Sequence, residues 1–160
     1  MNLEQWRICL CGLKDDQAVE LGRSLYANIY LNKGKLGIFQ THDGQLLQFW
    51  QDRYDHAFFT SSNRARHSDW KDVVARERIE RIWWILHVVE GRVPNTACWE
   101  AWSSSGRRFP PNRLYIAASY NYLVWLTPKY GGGFKFESAY SAHPNDIERY
   151  KKGSRKIWSQ

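Results

Sequence analysis

Three apolar runs in the last third of the chain constrain its fold more than any other feature. They read RLYIAAS, YLVWLTP and FKFESAY and occupy residues 113–119, 122–128 and 134–140. Two residues separate the first pair, and a segment that ends in three glycines separates the second pair. Connections this short join antiparallel neighbours, whereas parallel strands need long crossovers. The sequence therefore predicts a three-stranded antiparallel meander.

Two segments before the meander show helical periodicity. Residues 13–34 begin with acidic residues, end at Gly34 and repeat apolar residues at four-residue steps, namely Leu21, Leu25 and Ile29. Residues 69–90 carry a longer stripe that Gly91 follows, made of Val74, Ile79, Ile82, Trp83, Leu86 and Val89. We predict one continuous helix over each segment.

The other segments complete an α+β arrangement. They are a hairpin about an Asp-Gly turn over 35–50, a short extended run over 54–61, a loop over 103–112, and a short basic C-terminal helix over 144–160. We predict a single domain over residues 1–160, with 1–50 forming the N-terminal helix and hairpin. The meander and the N-terminal hairpin form an antiparallel sheet, and helices pack on one of its faces. The other face remains available as a surface.

The charge and the aromatic content indicate an anionic partner. The chain has 23 Lys and Arg residues against 16 Asp and Glu, and it carries nine Trp and nine Tyr. A net charge of +7 favours nucleic acid, although solubility alone also explains a basic surface. We find neither an apolar segment of membrane length nor a signal-peptide pattern, and we predict a cytoplasmic protein without a membrane partner. Cys9, Cys11 and Cys98 are expected to be reduced and structural.

Three places in the sequence offer residues for chemistry. Strand 134–140 begins with apolar residues and ends in hydroxyls, and alternation assigns one face to Phe134, Phe136, Ser138 and Tyr140. Such a strand leaves the core and reaches a cleft, or it simply frays into a surface loop. His56 lies beside an apolar run, where a histidine serves as a general acid or base or has a structural role. Arg78 borders the apolar stripe of the long helix, and Arg81 follows three residues later. The two arginines either bind a phosphate or simply flank the helix.

Several familiar signatures are missing from the sequence. We find no phosphate-binding Gly-Lys-Ser/Thr loop, dinucleotide fingerprint, zinc-protease motif or nucleophile elbow. We also find no tight acidic cluster for two magnesium ions, although Asp69, Asp72 and Glu77 stay open as ligands. The sequence therefore disfavours a metal-dependent nuclease, and we predict neither a metal site nor a cofactor.

Three motifs together resemble a known family. DHAFF, RERIERIWWI and YLVWLTPKYGGGFKFESAY are similar to motifs of phage-associated members of the barnase–EndoU–colicin–RelE-like nuclease group. The resemblance covers residues 53–141. Matched by position, His56 corresponds to the family histidine, Arg78 and Arg81 to its paired arginines, and Trp84 to the tryptophan that follows them. Ser138 stands where the family usually has threonine, and Tyr140 corresponds to the family tyrosine. Ile79 replaces a small residue that follows the first arginine in the family.

The resemblance implies a metal-independent endoribonuclease, toxin-like or effector-like, on a small α+β fold. The 2′-hydroxyl of RNA would attack its own phosphate and leave a 2′,3′-cyclic phosphate. His56 would act as base or acid, Arg78 and Arg81 would clamp the phosphate, and Ser138 and Tyr140 would donate hydrogen bonds to it. RNA, with tRNA among the candidates, would be the substrate, and an antitoxin or immunity protein would be a second partner.

A set of basic and aromatic residues suits RNA binding. It consists of Trp84, Arg107, Arg108, Lys135, Lys151, Lys152 and Arg155, with Trp99 and Trp102 as further stacking candidates. The same set fits a non-catalytic nucleic-acid-binding module, and exposed aromatics also fit a phage or mobile-element effector that binds a host protein. Convergence of His56, Arg78 and Tyr140 in one cleft favours the enzyme over both alternatives.

Overall fold

The computed structural model describes residues 1–31, 37–63, 70–102 and 110–160. In these ranges the chain forms five α-helices, which are α1 (Asp15–Tyr30), α2 (Arg53–Phe58), α3 (Arg76–Glu80), α4 (Trp84–Val89) and α5 (Pro144–Lys151). It also forms nine strands, which are β1 (Gly37–Gln40), β2 (Leu46–Phe49), β3 (Phe59–Thr60), β4 (Val73–Val74), β5 (Thr96–Ala101), β6 (Asn112–Ala117), β7 (Tyr122–Pro128), β8 (Phe134–Ser141) and β9 (Arg155–Ser159). None of the described helices is long and apolar enough to cross a membrane.

Seven strands form one sheet in the order β1-β2-β8-β7-β6-β5-β9. Neighbours are antiparallel except for β2 and β8, which run parallel with Leu47 opposite Phe134. The predicted meander is β6-β7-β8 and the predicted hairpin is β1-β2, so both are confirmed. The broader prediction of an α+β fold with a mostly antiparallel sheet is confirmed as well. A separate small sheet joins β3 to β4.

The sheet buries residues on both of its faces. In β6, Tyr115 and Ala117 face a large core shared with α1, α2, α3 and α4, whereas Leu114 and Ile116 face a smaller core on the opposite side. Ile147 of α5 packs into the smaller core. The prediction that helices cover only one face is therefore wrong, because the apolar side of α5 needs the second face for its burial.

The stripe over residues 69–90 is divided between two short helices and a strand. Helix α3 ends at Glu80, Arg81 leaves helical geometry with φ −103° and ψ 17°, and α4 starts at Trp84. Val74 belongs to β4, where it pairs with Phe59. The prediction of one continuous helix is wrong, because a periodic stripe identifies the buried side and not the continuity of the backbone. The expected start of this helix at residue 69 and the Gly34 end of the first helix lie outside the described residues.

The apolar stripe nevertheless remains buried across the break. Ile79 and Ile82 are fully buried in the main core, and so is Ile85 of α4. The buried Tyr30 hydroxyl donates a hydrogen bond to the Ile82 carbonyl within the connection. This hydrogen bond from α1 thus replaces one bond of the ladder that a continuous helix would have made.

Two further segments differ from their predictions. Residues 54–61, predicted as extended, contain the end of α2, because Tyr54, Ala57 and Phe58 are buried at helical spacing. The predicted helix over 144–160 ends at Lys151, and the rest forms β9, which pairs with β5. Gly153 separates the two elements with a φ of 82°, which few other residues adopt. Strand β5 was not predicted from the sequence.

Cys9 and Cys11 form a disulfide, with their Cα atoms 5.4 Å apart. That separation lies in the usual range for such bonds, and the turn at residues 11–12 brings the two side chains together. The prediction that all three cysteines are reduced is therefore wrong for this pair. Cys98 is a free, buried cysteine in the main core.

Candidate active site

A β-bulge in β8 determines which side chains reach the site. Leu126 of β7 pairs with Phe136, and the preceding Trp125 pairs with Ser138, so Glu137 is an extra residue in β8. A bulge of this kind bends the strand and changes the direction of the side chains around it. Strand β8 therefore presents different faces before and after Glu137.

The bulge reverses the predicted alternation of β8. Phe136 and Ala139 both belong to the main core, whereas Tyr140 packs with the second core on the α5 side. The prediction that Phe134, Phe136, Ser138 and Tyr140 share one face is wrong, because uniform alternation assumes a strand without an inserted residue. The bulge also directs the Glu137 carboxylate toward α2, where it contacts His56.

A cleft of about 420 Å³ lies where the last part of β8 meets α2, α3 and α5. Four of the five predicted catalytic residues line it, namely His56, Arg78, Ser138 and Tyr140. We call this cavity the His56 cleft. These four residues come from α2, α3 and β8, which all pack against the main core. His56, Arg78 and Tyr140 therefore converge in one cleft, which is the arrangement that favours an enzyme over a binding module.

His56 and Glu137 form a hydrogen-bonded pair at the cleft. The Nε2 atom of His56 lies 3.0 Å from Oε1 of Glu137, and the imidazole is 42% exposed. An ionised carboxylate only accepts hydrogen bonds, so the neutral imidazole carries its proton on Nε2. Nδ1 then has the lone pair, and it is the ring nitrogen that can accept a proton from a bound molecule.

Arg53 supports the same carboxylate from the first turn of α2. Its Nη1 atom donates to both oxygens of Glu137 at 3.3 Å. The hydrogen bond from His56, together with the charges of His56 and Arg53, lowers the pKa of Glu137, although partial burial opposes this. Glu137 is therefore a stable anion at neutral pH, and it fixes the orientation of the His56 ring.

Arg78 adds a fixed positive charge beside Tyr140. Its Nη1 donates to the Ala57 carbonyl at 2.8 Å, and its guanidinium carbon lies 4.9 Å from the centre of the Tyr140 ring. The side chain is 12% exposed. A guanidinium held by a carbonyl and an aromatic ring loses little conformational freedom when it meets an anion. Arg78 thus joins α3 to α2 and also lines the cleft.

The Tyr140 hydroxyl belongs to an aromatic network. It accepts a hydrogen bond from Nε1 of Trp125 at 3.3 Å and lies 3.3 Å from the hydroxyl of Tyr150. Burial raises the pKa of Tyr140, and its hydrogen bond with Tyr150 acts in the same direction. The hydroxyl therefore stays protonated at neutral pH and can donate a hydrogen bond to an anion in the cleft.

Charges of both signs surround these residues. The cleft is also lined by Lys71 and Arg149 and by the carboxylates of Glu77 and Asp146. Arg149 and Asp146 form an ion pair at 2.9 Å. His143 lines the cleft at the start of α5, where its Nδ1 accepts a hydrogen bond from the Asn145 amide at 3.2 Å. The cleft is polar and offers several proton donors.

Arg81 and Trp84 do not line the His56 cleft. Arg81 donates to the Glu77 carbonyl at 2.7 Å and stacks over Trp84, with 5.2 Å from its guanidinium carbon to the ring centre. Trp84 is only 1% exposed in the main core. The prediction of Trp84 as an RNA-contacting residue is therefore wrong, because an indole buried among helices cannot stack on a base. The break after α3 directs Arg81 away from Arg78.

The other predicted RNA-binding residues that the structure describes lie away from the cleft. Arg107 and Arg108 fall outside the described residues. Lys135 and Lys152 line two neighbouring cavities on the α5 side of the sheet. Lys151 is paired with Glu148 at 2.7 Å, and Arg155 donates to Glu100 at 3.0 Å. None of these four described residues lines the His56 cleft.

Sequence reasoning missed several residues of the site. The residues behind His56 that were not predicted are Glu137 and Arg53. Those on α5 are Arg149 and Tyr150. The signal for α5 was visible in the sequence, since Pro144 starts the helix, but nothing in the sequence indicated that it packs beside β8. Glu137 was missed because the bulge that orients it has no local sequence signature.

The possible acidic metal ligands are dispersed. Asp72 accepts hydrogen bonds from the amide and hydroxyl of Ser62, Glu77 lies at the rim of the cleft, and Asp69 falls outside the described residues. Among the residues that the structure describes, no three His, Cys, Asp or Glu side chains form a group that could hold a metal ion.

No protein-family model, curated protein or solved structure matches this chain. The similarity to the barnase–EndoU–colicin–RelE-like group therefore rests on the three motifs alone.

Proposed function

We propose that the protein is a metal-independent endoribonuclease that cleaves RNA through its 2′-hydroxyl. One observation carries the proposal: His56, Arg78, Ser138 and Tyr140 line one cleft, and Glu137 holds the His56 ring. Together they provide the groups that this reaction needs, which are a proton acceptor, a cation and neutral hydrogen-bond donors.

The reaction transfers a phosphoryl group within the RNA. Nδ1 of His56 accepts the proton of the 2′-hydroxyl, and the 2′-oxygen attacks the adjacent phosphorus. The bond from phosphorus to the 5′-oxygen of the next nucleotide breaks, and that oxygen takes a proton from His143, which lines the cleft, when its ring is protonated. The products are a 2′,3′-cyclic phosphate and a 5′-hydroxyl. Glu137 stabilises the imidazolium while it carries the proton.

Charge accumulates on the phosphate oxygens in the transition state. Arg78 is the cation that opposes this charge, and the hydroxyls of Ser138 and Tyr140 donate hydrogen bonds to the same oxygens. Because hydrogen bonds hold Arg78 and Tyr140 in place before RNA binds, little reorganisation of these two side chains is needed during the reaction. This arrangement requires the 2′-hydroxyl, so the proposal restricts the substrate to RNA.

The proposal is tested by cleavage of end-labelled RNA and total tRNA in excess EDTA. We expect products with cyclic phosphate ends, and we expect His56→Ala to reduce the rate by about 10²- to 10⁴-fold. Asp55→Ala is the matched control, because Asp55 precedes His56 in α2 but pairs with Arg23 at the surface. Cleavage that requires a metal, or that His56→Ala leaves unchanged, would contradict the proposal.

The same samples separate the alternatives. RNA that is retarded in a gel but stays intact would indicate a non-catalytic binding module. A protein that neither cuts nor binds RNA would favour an effector that acts on another protein. If the protein is a toxic ribonuclease, coexpression with its inhibitor restores growth, and expression of His56→Ala alone is tolerated.

A further inference from the structure

The His56 cleft continues into two other cavities on the α5 side of the sheet. A cavity of about 440 Å³, here the Trp125 pocket, is lined by Trp125, Trp102 and Lys152 and shares Arg149 and Tyr150 with the His56 cleft. A cavity of about 320 Å³, here the Lys135 pocket, shares Ala101, Trp102 and Asn112 with the Trp125 pocket. The three cavities are therefore adjacent, and we call the row of them the groove.

Aromatic side chains join the first two cavities. The rings of Trp125 and Tyr150 pack edge to face with their centres 5.4 Å apart. Both residues hydrogen-bond the Tyr140 hydroxyl, at 3.3 Å in each case. A flat group that rests in the Trp125 pocket is thus next to a group bound at Tyr140. A base and its adjoining phosphate have this relationship in a nucleic acid.

We infer that the groove binds single-stranded RNA beside the scissile phosphate. A base stacks in the Trp125 pocket, Arg149 and Lys152 contact the backbone, and the strand continues toward Lys135. This inference rests on the proposed function and assigns its substrate class. Stacking on aromatic rings along a basic groove is how proteins bind unpaired strands without strong sequence preference.

The concave shape of the groove favours an unpaired strand over a duplex. In an A-form helix the bases are stacked on each other, and the major groove is too narrow for side chains to enter. The faces of the bases then cannot reach Trp125, a half-buried residue of β7 that packs against Tyr150 of α5. A duplex would contact only the rim, through its phosphates.

Binding of an uncleavable ligand tests the inference without relying on catalysis. The probe is a fluorescein-labelled RNA of about eight nucleotides with random sequence and 2′-O-methyl groups throughout. Its affinity is measured against salt for the parent protein, Lys152→Gln and Lys14→Gln. Lys152 is exposed beside the Trp125 pocket, and Lys14 is an equal charge at the start of α1, outside the groove.

We expect Lys152→Gln to weaken binding of this probe roughly threefold to tenfold and to reduce the salt slope by about one. Lys14→Gln should change the affinity less than about twofold. Trp125→Leu, checked for folding by its thermal transition, should weaken binding further by removing the stacking surface. Equal affinity for Lys152→Gln and Lys14→Gln, or equal binding of a duplex of the same length, would overturn the inference.

Cleavage of a dinucleotide separates this inference from the proposed function. A dinucleotide reaches only the His56 cleft and the Trp125 pocket, so its cleavage tests the chemistry without the rest of the groove, and Lys14→Gln should leave its kcat/KM unchanged. If no RNA is cut but the Lys152 effect on binding persists, the ribonuclease proposal fails and the single-strand groove remains. If RNA is cut and Lys152→Gln has no effect on the longer probe, the groove is wrong and the ribonuclease remains.

Discussion

His56 and Glu137 lie 3.0 Å apart although they belong to distant parts of the chain. His56 is in the last turn of α2, where the neighbouring Ala57 and Phe58 are buried and fix the helix on the core. Glu137 is the inserted residue of the β8 bulge, which turns its carboxylate toward α2. Both elements are needed to orient the imidazole.

Replacing Glu137 with Gln should impair cleavage more than it impairs folding. We expect a loss of roughly 10²- to 10⁴-fold in kcat, the range for losing an orienting carboxylate behind a catalytic histidine. The tautomer of His56, read from nitrogen NMR shifts, should also lose its preference for a proton on Nε2. Glu100→Gln is the control, since Glu100 pairs with Arg155 far from the cleft. An unchanged tautomer would refute the positioning role.

Arg78 and Arg76 allow a comparison on one helix. Arg78 donates to the Ala57 carbonyl, and Arg76 donates to the Leu10 carbonyl outside the cleft. Each Ala variant should lose about 1–2 kcal/mol in the free energy of unfolding, because each removes one charged hydrogen-bond donor. Only Arg78→Ala should also reduce the cleavage rate, by about 10²- to 10³-fold. Equal losses of activity would show that Arg78 acts only through stability.

Tyr30 should stabilise the break between α3 and α4. Its buried hydroxyl donates to the Ile82 carbonyl, so Tyr30→Phe should reduce the free energy of unfolding by about 1–2 kcal/mol in urea titrations. Tyr130→Phe removes the same atom from a fully exposed ring and should change stability by less than about 0.5 kcal/mol. If the two variants are equally stable, the hydrogen bond to Ile82 does not support the connection.

His87 should make the protein less stable in mild acid. Burial, assisted by the charge of Arg92, lowers the pKa of His87 in the folded state. His87 is therefore protonated more readily in the unfolded chain than in the folded chain, so the free energy of unfolding falls as the pH drops below about 6.5. The loss continues until the folded-state pKa is reached.

The measurement is the urea midpoint of the parent and of His87→Phe at about pH 7.5 and about pH 5.5. Phe keeps a ring against Trp6, whose centre lies 4.6 Å from that of His87. The variant should lose less stability between the two pH values. Some dependence should remain, because burial also lowers the pKa of His42. An identical pH dependence would exclude His87 as its source.

Local signals in the sequence were sufficient for several elements. Alternating apolar residues and short connections predicted the meander, and the Asp-Gly turn predicted the β1-β2 hairpin, where Gly44 adopts a φ of 75°. These patterns depend on residues that are neighbours in the chain, so they can be read without the fold. The motifs also predicted that His56, Arg78, Ser138 and Tyr140 belong to one site, and all four line the His56 cleft.

Only the tertiary structure decided how these elements combine. A stripe of apolar residues marks a buried side, but it does not show that the backbone breaks between α3 and α4, where Tyr30 of α1 donates a hydrogen bond to the Ile82 carbonyl. The extra residue in β8 exists only relative to its pairing with β7, so it reverses the strand's alternation without a sign in the sequence. Glu137 therefore reaches His56, and α5 completes the cleft from the second face of the sheet. The sequence determined which residues are available for chemistry, and long-range packing decided which of them meet, because pairing and packing depend on residues far apart in the chain.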